Sequence, residues 1–289
     1  MARTLQLDAD FDTLGTTSQN TVEDPEGTSK ASQAMIDAAM GVRPEIPDPP
    51  DCVVTLAHGI KRDGVLLRDA EVRELTGEDE EHIAKVGSHW VRFMDALVSR
   101  GTVNIGGVPM TKEIGDELLV GDREDLILGI RRATFGSTLT IEGFTCGTCG
   151  DKSDLAVDLN AVPRVKLEDP DDIVRRIELR NNHHVEVRFV NGGDQRAIYS
   201  DLEATVAQSN TTLLSRCIVT YDGVSVGEPG GARVTGIVRK LGLADRKNIL
   251  KYLYDNAPGP RFDQIEFAHD PCGTVIKLPL GWGDLFLGL

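Results

Sequence analysis

Residues 118–155, "LLVGDREDLILGIRRATFGSTLTIEGFTCGTCGDKSDL", decide how the chain is organised, because their pattern returns 123 positions later. The later segment, 241–278, reads "LGLADRKNILKYLYDNAPGPRFDQIEFAHDPCGTVIKL" and aligns without a gap. Asp122-Arg123 falls on Asp245-Arg246, Gly136 on Gly259, Phe144 on Phe267, and Cys149-Gly150 on Cys272-Gly273. The same offset brings Cys146 onto His269. Upstream, "LVSRGTVNIGGV" (97–108) matches "LLSRCIVTYDGV" (213–224), and "VRELTGED" (72–79) matches "VRFVNGGD" (187–194). Caps, stops and glycine turns recurring in one order are what an internal repeat leaves in a sequence.

Local patterns give each repeat the same elements. "DCVVTLAHGIKRDGVLLRDAEVREL", from Asp51, alternates apolar residues about Asp63-Gly64 and predicts a β-hairpin. The next stretch has apolar residues at Ile83, Val86, Trp90, Phe93 or Met94, and Leu97, with Thr76 and acidic residues at its start and Arg100 at its end. That spacing predicts one helix. In "GDREDLILGIRRATFG", Asp122 reads as an N-cap, Leu126, Ile127 and Ile130 as the apolar face, and Gly136 as the stop. "STLTIEGFTCGTCGDKSDLAVDL" then alternates as strand, knuckle, strand.

The knuckles carry the chemistry. A single C-x-x-C supplies two ligands, whereas structural zinc takes four in a tetrahedron. The repeat supplies the other two: "CGTCG" and "HDPCG" both place a glycine after the second ligand, where a left-handed backbone lets amide N–H groups face the sulfur. Cys146, Cys149, His269 and Cys272 are therefore expected to close one Cys3His zinc site across the two repeats. With four protein ligands, the zinc would be structural. Cys52 and Cys217 lack a partner at ligand spacing and read as small core residues.

The expected fold is therefore α+β: two tandem pseudo-repeats of helices plus β-hairpin, joined by a shared zinc-ribbon-like knuckle pair. Residues 1–51 read as an acidic extended or disordered arm, with at most a short helix in "ASQAMIDAAMG". Residues 52–180 form the first repeat and 181–289 the second, which ends in the apolar tail "LPLGWGDLFLGL". That tail either covers the second hairpin or docks on a neighbour.

A net charge of −15 disfavours nucleic-acid binding, and no apolar run approaches the ~20 residues of a membrane helix. The N-terminus shows no basic and apolar secretory signal, so the cysteines are read in a reducing compartment. Catalytic patterns fail on content. His184-Val185-Glu186 with Pro271-Cys272 imitates a zinc-deaminase signature, but Val275 stands where its second cysteine belongs. "VNGGD" and "GEPGG" lack the Lys-Ser/Thr of a phosphate loop, and no G-x-S-x-G is present. Asp122/Asp245 and Arg123/Arg246 read as helix caps and solvated first-turn charges.

The "LTGEDE" segment, the C-x-x-CG knuckle, "DRK-x-IL-x-YL" leading to a second CG knuckle, and the closing "LPLGWGDLF" together resemble baseplate hub and hub-assembly proteins of T-even-type tailed bacteriophages. The resemblance covers roughly residues 65–289 and departs at His269, where such proteins carry cysteine. It implies a non-enzymatic structural or assembly role in the tail baseplate, with other tail and baseplate proteins as partners and self-association as an option. No nucleic-acid, membrane or small-molecule partner is expected. The chain would reside in the host cytoplasm during assembly and then in the virion tail. The competing expectations are a zinc-ribbon adaptor in transcription or nucleic-acid metabolism and, more remotely, a metal-dependent hydrolase or deaminase.

Overall fold

The computed structural model describes residues 52–86, 90–201 and 203–286. The arm expected over 1–51, and residues 287–289 of the tail, lie outside the described residues. The fold is mixed α+β. Strands β1 (Cys52–Arg62) and β2 (Val65–Val72) form the predicted hairpin, turning at Asp63 and Gly64, both with positive φ. Helices α1 (Gly77–Val86) and α2 (Trp90–Gly101) follow. The spacing predicted one helix here; the described residues form two, and 87–89 between them lie outside the described set.

Strands β3 (Thr102–Ile105) and β4 (Val108–Pro109) complete an antiparallel sheet in the order β1-β2-β3-β4. Helix α3 (Lys112–Glu117) and the longer α4 (Val120–Phe135) lead into the hairpin β5 (Thr138–Thr145) and β6 (Lys152–Asp158). After the short strand β7 (Arg164–Val165), the order recurs. Strands β8 (Val174–Glu178) and β9 (His184–Arg188), helices α5 (Gly192–Ile198) and α6 (Val206–Cys217), and strands β10 (Ile218–Tyr221) and β11 (Val224–Ser225) give a second sheet, β8-β9-β10-β11. Helices α7 (Ala232–Lys240) and α8 (Leu243–Asp255) and strand β12 (Gly259–Pro260), paired to β7, precede the hairpin β13 (Glu266–Ala268) and β14 (Val275–Lys277).

Each sheet meets its helices through a buried carboxylate. Asp79 is fully buried and accepts Arg73 Nη1 at 2.8 Å and Nη2 at 3.0 Å, Arg100 Nε at 2.6 Å and the Thr76 N–H at 2.9 Å. Asp194, equally buried, accepts Arg188 Nη1 at 2.6 Å and Nη2 at 3.0 Å, Arg216 Nε at 2.7 Å and the Asn191 N–H at 3.1 Å. Burial pushes both carboxyls up, but the arginine fork and the capping N–H outweigh it and hold them below the usual range. The two networks agree atom for atom.

Two apolar cores result. The first gathers Leu56, Ile60, Met94, Leu97, Leu126, Ile127 and Ile130 from residues 52–135, with Leu139 and Val157 of the first hairpin. It is completed by Phe262, Ile265, Leu280, Leu285 and Phe286, so the chain's last described turn returns to it. Arg131 Nε donates to the Leu285 carbonyl at 2.6 Å, and Phe286 meets Phe93 and Phe135 edge-on. The second core holds Val185, Val187, Leu214, Cys217, Val234, Val238 and Ile249, plus Leu119 from the first half. Gly121 lies so close to Pro258 that a Cβ there would strike its carbonyl, fixing α4 against the segment before β12.

Candidate metal centre

The two hairpins form the same turn. Gly150 N–H bonds the Cys146 carbonyl at 2.9 Å and Cys146 N–H the Asp151 carbonyl at 2.9 Å. In the other hairpin, Gly273 N–H bonds the His269 carbonyl at 2.7 Å and His269 N–H the Thr274 carbonyl at 2.9 Å. Gly150 and Gly273 have φ of 73° and 67°, the left-handed backbone such a turn requires. The hairpins face each other through their equivalent aromatics, Phe144 and Phe267, whose rings meet edge-on at 6.3 Å.

This packing gathers all four expected ligands. One donor atom from each of Cys146, Cys149, His269 and Cys272 lies within 4.8 Å of the others. Cys146 Sγ is 3.9 Å from Cys272 Sγ, Cys149 Sγ is 3.7 Å from His269 Nδ1, and His269 Nδ1 is 3.3 Å from Cys272 Sγ. A tetrahedral zinc with ~2.3 Å bonds to sulfur sets its ligand atoms about 3.5–3.8 Å apart, close to these spacings. No pair is near the ~2.05 Å of a disulfide. A Cys3His cluster able to hold a metal ion, compatible with zinc, is therefore present.

Cys146 and His269 are buried, whereas Cys149 and Cys272 are exposed, so the centre lies just under the surface. His269 Nδ1 points at the sulfurs, while its buried Nε2 has no hydrogen-bond partner and lies 3.6 Å from Asp151 Oδ2. A carboxylate behind a ligating imidazole favours the tautomer that leaves the metal-facing nitrogen free. The Thr274 hydroxyl and N–H and the His269 ring draw the Cys272 thiol down to about 6. Cys149 moves the other way: the Asp151 N–H favours its thiolate, but burial and the neighbouring thiols raise it. A divalent cation bound by the cluster would favour thiolate at its sulfur ligands and displace their protons.

The other sequence-selected residues lie elsewhere. His184 and Glu186 are in β9, with Glu186 accepting Thr220 Oγ1–H at 2.8 Å, outside the Cys/His cluster. Cys217 is buried at the end of α6 with its thiol pushed up to about 12 by burial, as suits an unreactive core residue, and Cys52 begins β1 half-buried against the first core.

The first-turn charges require a correction. Asp122 is not an N-cap, since α4 begins at Val120 behind Leu119; it is fully buried and accepts the His58 and Gly59 N–H groups at 2.9 and 3.0 Å. Arg123 is not solvated either, being 1% exposed, with Nη1 on the Gly115 carbonyl and Nη2 on Asp95. Arg246 repeats this with Nη1 on the Val238 carbonyl and Nη2 on Thr211 Oγ1. These pairs tie helix to helix and helix to strand. No helix among the described residues is long and apolar enough to cross a membrane. Comparison with protein-family models, curated proteins and solved structures returns no match to the chain.

Proposed function

We propose that the chain is a non-enzymatic structural or assembly protein made of two tandem copies of one α+β unit, clasped by a structural zinc on Cys146, Cys149, His269 and Cys272. The observation that carries this reading is the two-and-two origin of the donor set: one hairpin from each unit gives two donors, and none of the four positions is left for substrate or water. Bound zinc would neutralise the thiolates and cross-link chain positions more than a hundred residues apart, limiting separation of the units. The tandem reading is supported by the matching Arg-Asp-Arg networks and by the matching bonds of Arg123 and Arg246.

Within that class, the chain belongs at the baseplate hub of a phage tail, as a hub component or an assembly factor with tail proteins as partners. The motifs that support this are "LTGEDE", the two CG knuckles and "LPLGWGDLF". Mass spectrometry with chemical cross-linking, applied to purified tailed particles and to tail intermediates from the same lysate, tests it. Cross-links to tail proteins in either fraction are the expected result. Absence from both fractions overturns the tail assignment.

A further inference from the structure

Inside the chain, the first unit docks on the second in a head-to-tail manner. Val120 N–H bonds the Val190 carbonyl and Gly192 N–H the Leu118 carbonyl, both at 2.9 Å, and Arg196 Nη1 grips Asp116 at 2.6 Å. Gly192 sits so close that a Cβ would meet the Gly115 carbonyl and Arg123 Nη1. The start of α4 is the receiving face, and the turn before α5 is the inserting one.

Each unit carries both faces, so one of each remains unused. By the repeat offsets, the second receiving face centres on Leu243, equivalent to Val120. Leu243 is 85% exposed beside a groove of about 440 Å³ that Thr211, Arg239, Leu241, Arg246 and Leu250 also line. The second inserting face centres on Gly77, equivalent to Gly192; it is exposed, and a Cβ there meets nothing within 4 Å. Neither Leu243 N–H nor Gly77 N–H has a backbone partner among the described residues.

The charges also match, with their signs reversed. Arg196 corresponds to Glu81, and Asp116 corresponds to Arg239, both exposed. The ion pair inside the chain therefore has an oppositely signed counterpart available between two chains.

We propose that a second copy of this chain docks its Gly77–Glu81 turn on the Leu243 face, pairing Glu81 with Arg239 and repeating between chains the contact that joins the units within one. This rests on the tandem reading but not on the tail assignment. A heterologous contact of this kind builds open chains or rings. It is weaker than the internal one, because Leu119, buried in the second core, is matched by the exposed Gly242.

Sedimentation velocity on the full chain tests the proposal. The wild-type mass should rise with concentration, whereas Leu243→Asp and Gly77→Leu should each remain monomeric, with unchanged circular dichroism because both sites are exposed. An equimolar mixture of the two should form a dimer and stop there, since each chain retains one intact face. Glu81→Arg should weaken association by at least about tenfold, and Arg239→Glu in the same chain should restore it. A wild-type monomer at every soluble concentration overturns the proposal, as does a mixture that fails to dimerise or association that survives both face variants. These outcomes leave the tandem reading standing, because the comparison of Asp79 with Asp194 tests it separately.

Discussion

Arg123 and Arg246, at the starts of α4 and α8, each reach a helix carbonyl through Nη1, while Nη2 meets the Asp95 carboxylate in one case and the Thr211 hydroxyl in the other; one arginine is sealed and the other half-exposed. The difference lies in what covers them. The turn before α5 closes over Arg123, while among the described residues nothing equivalent closes over Arg246 and its neighbour Leu243. At these two sites, positions matched in the sequence share a hydrogen-bonding pattern but differ in burial. The Asp79 and Asp194 networks, by contrast, agree in both composition and burial.

The strongest way to break this comparison is to remove the two carboxylates separately. Asp79→Ala and Asp194→Ala each leave two arginines facing an emptied buried site, so each should cost about 3–5 kcal/mol in chemical denaturation. The two losses should be similar; a silent member of the pair would contradict the tandem reading. Both carboxyls titrate below the usual range, so their contribution is complete above about pH 4 and is lost as pH falls through their lowered folded values. Acid titration of the wild type and either variant should therefore converge only at low pH.

A smaller effect sharpens the contrast in burial. Arg123→Met should cost about 2–4 kcal/mol and Arg246→Met about 1 kcal/mol, because Arg123 is sealed and paired with a carboxylate, whereas Arg246 is half-exposed and meets a hydroxyl. Equal losses would mean that the cover over α4 contributes little.

Much of this architecture was legible before any coordinates. The Asp63-Gly64 hairpin, the knuckle glycines and the alternation around Cys146 are local signals whose physics acts within a few residues. His269, the fourth member of the Cys/His cluster, is indicated in the sequence only through the repeat offset. Three features were not. The insertion of Leu119 into the second core and the return of Phe286 to the first depend on long-range packing, to which periodicity is blind. The burial of Asp122 and Arg123 was misread because a charge in a helix's first turn is usually solvated, and its covering partner is separated from it by many residues. The Arg73-Asp79-Arg100 network leaves a signal in the sequence, the arginines and aspartate that recur as Arg188, Asp194 and Arg216, but local patterning cannot show that they converge on one buried carboxylate.

The clasp at the centre of the account is tested most directly by elemental analysis of purified chain. We expect about one zinc per chain, with Cys146→Ser and Cys272→Ser, one from each hairpin, lowering metal content and thermal stability together. A chain that purifies without metal, with Cys272→Ser as stable as wild type, would contradict it.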